Sequence, residues 1–256
     1  MTEEVASTFG ASRFLRDGEL VGIVGPGRWS GCRPGDGATT VCFSLLASVA
    51  AGATLAAAGG VTVTLVRRRA ELPFAMLPLL FGVQQLSEGV VWWSLDHSAA
   101  TLNSASTLTY MLFSHVLWPV FVPFSFLCME TVRWRRRLMV MFVGIGVVVA
   151  LAGLHTVFAG SHTSRVSRDS IQYDLPPWYV VALYLFATCI GALCSSRTLI
   201  KGMGAAALAL ALVTLWLYVS VFVSLWCFFC ALLTVMIFAS YLSKRSREVA
   251  EAPIVG

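Results

Sequence analysis

The sequence predicts an all-α fold: an integral membrane bundle of seven transmembrane helices, N-outside and C-inside. Three observations predict it. Of 256 residues, 57% are hydrophobic and only 12% are charged, whereas a soluble domain carries about 25% charged residues. The apolar residues gather in charge-free runs long enough to cross a bilayer. The arginines and lysines gather in short clusters between those runs. The formal net charge of +5 is therefore a topology signal and not a nucleic-acid-binding face. The implied partner is the lipid bilayer of the cytoplasmic (inner) membrane, and nucleic acid is excluded.

Residues 1–40 differ from the rest. They are rich in Gly, Arg and acidic residues and hold no helical or strand period, so they read as a disordered N-terminal extension. Gly22-Ile23-Val24-Gly25-Pro26-Gly27 is not a phosphate loop, because no Gly-Lys-Ser/Thr follows. A mis-assigned start is a second expectation. Val41 opens Val41-Cys42-Phe43-Ser44, and a GTG codon reads as Val internally but as Met when it initiates. Peptides from residues 1–40 in the purified protein would refute it.

Residues 41–243 hold the seven spans, and 244–256 form a short cytoplasmic tail. The first span, 41–66, ends at Arg67-Arg68-Arg69. Ser44, Ser48, Gly52, Ala56 and Gly60 recur every four residues along it, a small-residue stripe that lets another helix approach closely. The second span is 73–95. The third, 107–129, ends at Glu130 before Arg133-Trp134-Arg135-Arg136-Arg137 and contains Pro119 and Pro123. Those prolines free carbonyls that neighbouring helices must meet. The fourth span is 138–158, followed by a polar loop, 160–177, and the fifth is 178–195. From Gly202 to Ser243 no charge occurs. That run is about twice one span, so it splits near Tyr218–Val221 into the sixth and seventh, closed by Lys244-Arg245-Ser246-Arg247. The basic clusters fall on alternate connections, with only loop 160–177 dissenting through Arg165 and Arg168, offset by Asp169 and Asp174, and this puts the carboxyl terminus in the cytoplasm.

Polar residues inside spans point to function. A mid-span carboxylate costs about 2.5–3.5 kcal/mol on insertion scales, so by default it faces protein or a water-filled cavity. Glu88 is such a residue, and Gln85, Glu88 and Trp92 share one helical face. Running outward, the second span places Glu88 about 10 Å from its outer end, and the inward third span places His115 about 12 Å from the same surface. Matched depth predicts a polar pocket in the outer half of the bundle. Its acid–base residues are Glu88 and His115, and its walls are Gln85, Trp92, Ser44, Trp118 and Trp226.

Cys42, Glu88, His115 and Cys227 are metal-ligand types at compatible depth, and a transition metal is the cofactor such a set would take. Their spacing is not diagnostic. Three functions stay open: a metal-assisted membrane enzyme acting on a lipid or small molecule, a proton-linked small-molecule transporter or sensor, and a structural or partner-binding protein whose polar residues fix helix packing. Trp92, Trp93, Trp118 and Trp178 also suit an aromatic belt at the interfaces. The last span has no Lys before Lys244, so a retinal Schiff base is excluded.

The segment Val41-Cys42-Phe43-Ser44-Leu45-Leu46-Ala47-Ser48 resembles the opening MCFSxxAS of an uncharacterised family of bacterial polytopic membrane proteins, a domain of unknown function. The likeness continues through Leu77 to Gly89 with Gln84-Gln85 and Glu88, through Trp118-Pro119 with Pro123, through Glu130, and through Ser224-Leu225-Trp226-Cys227-Phe228-Phe229. It implies a family start at the position of Val41 and a mature amino terminus at Cys42. The family's His-Ile-x-Tyr loop motif corresponds here to Ser170-Ile171-Gln172-Tyr173, which lacks the histidine. The resemblance brings no activity.

Overall fold

The structure is a computed structural model that describes residues 44–159, 164–167 and 170–250. The expected extension at 1–40, Cys42 and the loop residues His162, Arg168 and Asp169 lie outside the described residues. The chain divides after Thr40 into two units, and the fold below is that of the second.

Helix α1 (Leu45–Thr64) is followed by α2 (Arg69–Asp96), α3 (Ala100–Met129) and α4 (Arg133–Ala159). A short antiparallel hairpin, β1 (Arg165–Ser167) and β2 (Ser170–Gln172), pairs Val166 with Ile171. Helix α5 (Trp178–Leu193) is shorter. A final helical run from Thr198 breaks into α6 (Thr198–Tyr218), a 3-10 turn at Val219–Val221, α7 (Phe222–Leu233) and α8 (Val235–Ala250). Five of these stretches are long and apolar enough to cross a membrane: α1, α2, α3, α4 and the 51-residue run from Thr198. The fold is thus all-α apart from the hairpin, which replaces part of the expected polar loop. The break at Val219–Val221 falls where the length of the charge-free run requires one.

Helices α1 and α2 make the most extensive contact in the bundle. Ser44 caps α1, accepting from the Ala47 amide at 3.3 Å. The buried residues of α1 are Ser48, Gly52, Leu55, Gly59 and Thr62, so the contact steps by four and three alternately. A stripe repeating strictly every four residues rotates about 40° per step on a 3.6-residue helix. That is why the expected stripe ends one residue early. Gly60 has open space around it, while Gly59 abuts the backbone of Leu79 and Gly52 lies against Leu86. Gly59→Ala is expected to force these helices apart and cost about 1–3 kcal/mol, read as a lowered Tm; Gly60→Ala, one residue away, leaves the Tm unchanged.

Helix α3 carries a π-helical segment, Leu112–Leu117, just before Pro119. Pro119 and Pro123 have no N–H, so the carbonyls of His115 and Pro119 lose their usual partners four residues on. Helix α4 meets both. Gly153 packs directly on the His115 carbonyl and Gly146 on the Pro119 carbonyl. Only a missing Cβ allows the α4 backbone so close, close enough for Cα–H···O contacts.

The basic connections meet at one end of the bundle. Arg67 pairs with Glu248 at 2.7 Å and Lys244 with Glu71 at 3.7 Å, which joins the α1–α2 connection to α8. Arg135 donates to the carbonyls of Cys194 and Ser195 at 2.9 and 2.7 Å. Glu130 accepts from the amides of Thr131, Val132 and Ser196 at 3.1, 3.0 and 2.8 Å. This joins the α3–α4 and α5–α6 connections. Burial pushes the Glu130 carboxyl up, but the amide bonds outweigh it and hold it below the ordinary carboxylate range. A lowered folded-state value means Glu130 stabilises the fold above the ordinary carboxylate range and loses that contribution as pH falls through the folded value. Glu130→Gln is therefore expected to cost about 1–2 kcal/mol at neutral pH, and the Tm gap between the two proteins is expected to close on acidification.

Candidate functional site

The core-facing residues of α2 include Leu77, Phe81, Gln84, Gln85, Glu88, Val91 and Trp92. This is a regular helical stripe, and polar residues occupy its centre. Gln85 is 0% and Glu88 1% exposed. Ser224, in the buried stretch Phe222–Cys227 of α7, donates to Glu88 Oε1 at 2.6 Å. Tyr110 of α3 and Tyr173, just after β2, stack with ring centroids 4.4 Å apart. Both tyrosines and Cys227 lie within electrostatic reach of Glu88. Four elements thus converge: α2, α3, α7 and the chain leaving the hairpin.

The cluster is rich in unpaired polar atoms. Glu88 Oε2, both amide atoms of Gln85, Gln84 Nε2, Trp92 Nε1 and the hydroxyls of Tyr110 and Tyr173 are buried without a hydrogen bond of ordinary geometry among the described residues, although Gln85 lies beside Glu88 and Cys227 beside Gln84 and Tyr110. Each such group costs about 1–3 kcal/mol, which sets this cluster apart from the apolar packing around it. The ion pairs among the described residues, Arg67–Glu248 and Lys244–Glu71, lie at the basic end, so no cation pairs with Glu88 there.

His115 is placed differently from the expectation. Its Nδ1 lies 2.7 Å from Ser114 Oγ and its Nε2 lies 3.1 Å from the Asp174 carbonyl. A neutral imidazole satisfies both, donating from Nε2 and accepting at Nδ1. His115 therefore ties the loop after the hairpin to the π segment of α3, and no hydrogen bond links it to Glu88. The expected metal set is only partly covered by the described residues. Cys42 lies outside the described residues, and among the described residues no three His, Cys, Asp or Glu side chains are grouped to hold a metal.

The expected walls divide. Trp92 is buried in the same core as Tyr110 and Cys227. Ser44 is exposed, its hydroxyl used in starting α1, so it is not a wall. Trp118 is 1% exposed; it stacks on Phe81 at 3.9 Å and donates to Gln84 Oε1 at 2.7 Å. It is thus a core residue rather than part of an aromatic belt, whereas Trp93 and Trp178 are exposed. Trp226 donates to the Ala207 carbonyl at 3.1 Å. Together with Cys227 and Tyr184 it lines both an apolar cavity of about 80 Å³ beside Trp118 and a smaller one of about 30 Å³ beside His115.

Sequence reasoning missed Ser224, Tyr110 and Tyr173 as neighbours of Glu88. Ser224 and Tyr110 stand in apolar runs and Tyr173 in the polar loop, and none falls at a period that points to Glu88. Cys227, placed with Glu88 as a ligand type, and Gln84, adjacent to Gln85, were neighbours with a visible signal.

Residues 41–252 match the model of a family of unknown function, DUF6629. The chain belongs to this family. The DUF6629 match takes in every helix of the bundle and all residues of the Glu88 cluster. No curated protein and no solved structure matches the chain.

Proposed function

We propose that the chain is a multi-pass protein of the cytoplasmic membrane, with seven spans and the basic end facing the cytoplasm, that works as a proton-linked small-molecule transporter or sensor. The span count rests on α5 crossing as a short span and on the 51-residue final run, long enough for two, dividing at Val219–Val221. The orientation rests on the gathering of the basic connections at one end.

One observation carries the functional reading: a fully buried carboxylate with no cation partner among the described residues, held by Ser224 from a helix broken at both ends and faced by Gln85 of its own helix. A bare charge on Glu88 in this packing is costly, so gain or loss of a proton there is coupled to how α7 sits against α2. Helix α7 has room to respond, because it is short and bounded by the Val219–Val221 turn and the break at Thr234. The groups facing Glu88 are Ser224 and Cys227 from α7, Tyr110 from α3 and Tyr173 after β2. Gln85, one turn away on α2, also faces Glu88. A metal-assisted enzyme finds no ligand group to support it among the described residues.

Trp92 and Trp226 report on this region. In the reconstituted protein, tryptophan fluorescence is expected to follow a single pH titration that Glu88→Gln abolishes and Ser224→Ala displaces. Coincident profiles for wild type and Glu88→Gln would end the proposal.

A further inference from the structure

At the basic end, a cavity of about 210 Å³ opens between α2, α3, α6 and α8. It shares no residue with the Glu88 cluster. Its polar lining is Glu71, Arg197, Ser240, Tyr241 and Lys244, and its apolar lining includes Phe74, Met129 and Ile200. Tyr241 is 7% exposed, and its buried hydroxyl faces Glu71 without a hydrogen bond of ordinary geometry among the described residues. The Arg197 guanidinium makes no hydrogen bond or ion pair among the described residues; only its backbone is engaged, with Ser195 and Lys201. Helix α6 starts here. Its first-turn amides have no side-chain cap, and Leu199 and Ile200 line the cavity. Uncapped amides at a helix start favour an anion.

Charge balance narrows the ligand. Arg197 and Lys244 bring two positive charges, and Glu71, already paired with Lys244 at 3.7 Å, removes one. One positive charge remains, carried by a guanidinium suited to a bidentate contact with phosphate oxygens. A phosphodiester supplies the single matching negative charge. Phe74, Met129 and Ile200 offer apolar surface for the carbons attached to it.

We infer that this cavity is a binding site for the phosphodiester of a membrane phospholipid, with Arg197, the start of α6 and the Tyr241 hydroxyl holding the phosphate. The site rests on the membrane reading above, which puts this end of the bundle at the cytoplasmic leaflet, where basic pockets between helices meet lipid headgroups. It does not depend on Glu88 titrating.

The test is native mass spectrometry of the detergent-purified full chain with phosphatidylglycerol, with diacylglycerol, and with inorganic phosphate as competitor. Phosphatidylglycerol is expected to bind about tenfold more tightly than diacylglycerol. Arg197→Gln is expected to remove that preference and Tyr241→Phe to reduce it about threefold. Both variants are expected to keep the fluorescence titration of the wild type, which separates this site from the Glu88 reading. Equal binding of the two lipids would overturn the inference, as would a preference unchanged in both variants. Displacement of phosphatidylglycerol by stoichiometric inorganic phosphate would also overturn it, reassigning the cavity to a free anion.

Discussion

Gly146→Ala is expected to be among the most damaging single-methyl additions in this bundle. The new Cβ would overlap the Pro119 carbonyl, which is backbone inside a proline-bearing helix and has little freedom to retreat. Overpacking of this kind costs about 1–3 kcal/mol when side chains can yield; against backbone, the upper end applies, about 3 kcal/mol. Gly153→Ala, facing the His115 carbonyl, is expected to behave alike and also to loosen the tie between His115 and Asp174. Gly144→Ala on the same helix has open space around it and serves as the control. Thermal unfolding of the three variants in one detergent measures the difference. A Gly146→Ala protein as stable as Gly144→Ala would show that α3 and α4 do not pack through the freed carbonyls.

Glu88 is expected to separate into a stability role and a charge role. Glu88→Gln keeps the volume and an acceptor for Ser224, so the fold is expected to survive. Glu88→Ala leaves the Ser224 hydroxyl without its partner and opens a void among Gln85, Tyr110 and Tyr173. That combination is expected to cost about 3 kcal/mol more than the glutamine variant. Unfolding midpoints of the two variants, measured together, check it. If they coincide, Ser224 and the surrounding packing do not depend on the Glu88 side chain.

Part of the bundle was legible in the sequence, because bilayer thickness turns long charge-free runs into long apolar helices, and five stretches are long and apolar enough to cross. The division at Val219–Val221 followed from a charge-free run too long for one crossing. The gathering of Arg67, Arg135, Arg197 and Lys244 at one end followed from alternate basic connections. Periodicity was legible only to the precision of the period used: a four-residue stripe chose Gly60 where the 3.6-residue helix uses Gly59. The prolines announced freed carbonyls, yet which residues would meet them is a matter of inter-helix register, and no local pattern singles out Gly146 and Gly153.

The site was half legible. Gln85, Glu88 and Trp92 on one face were readable from helix geometry alone. Depth matching then joined Glu88 to His115, but depth leaves the rotation of each helix open. The π segment, Leu112–Leu117, sets the direction of His115, and it satisfies that side chain locally through Ser114 and the Asp174 carbonyl. Ser224, the actual partner of Glu88, is 136 residues away in a run with no polar pattern.

The central claim is that Glu88 gains and loses a proton inside the folded bundle. Infrared difference spectroscopy of the reconstituted protein, recorded between acid and alkaline pH, tests it most directly. A protonated-carboxyl stretch that fades as pH rises, is missing in Glu88→Gln and is displaced in Ser224→Ala is the predicted result. A difference spectrum identical in wild type and Glu88→Gln would contradict the account and leave the Glu88–Ser224 bond as a helix-packing contact.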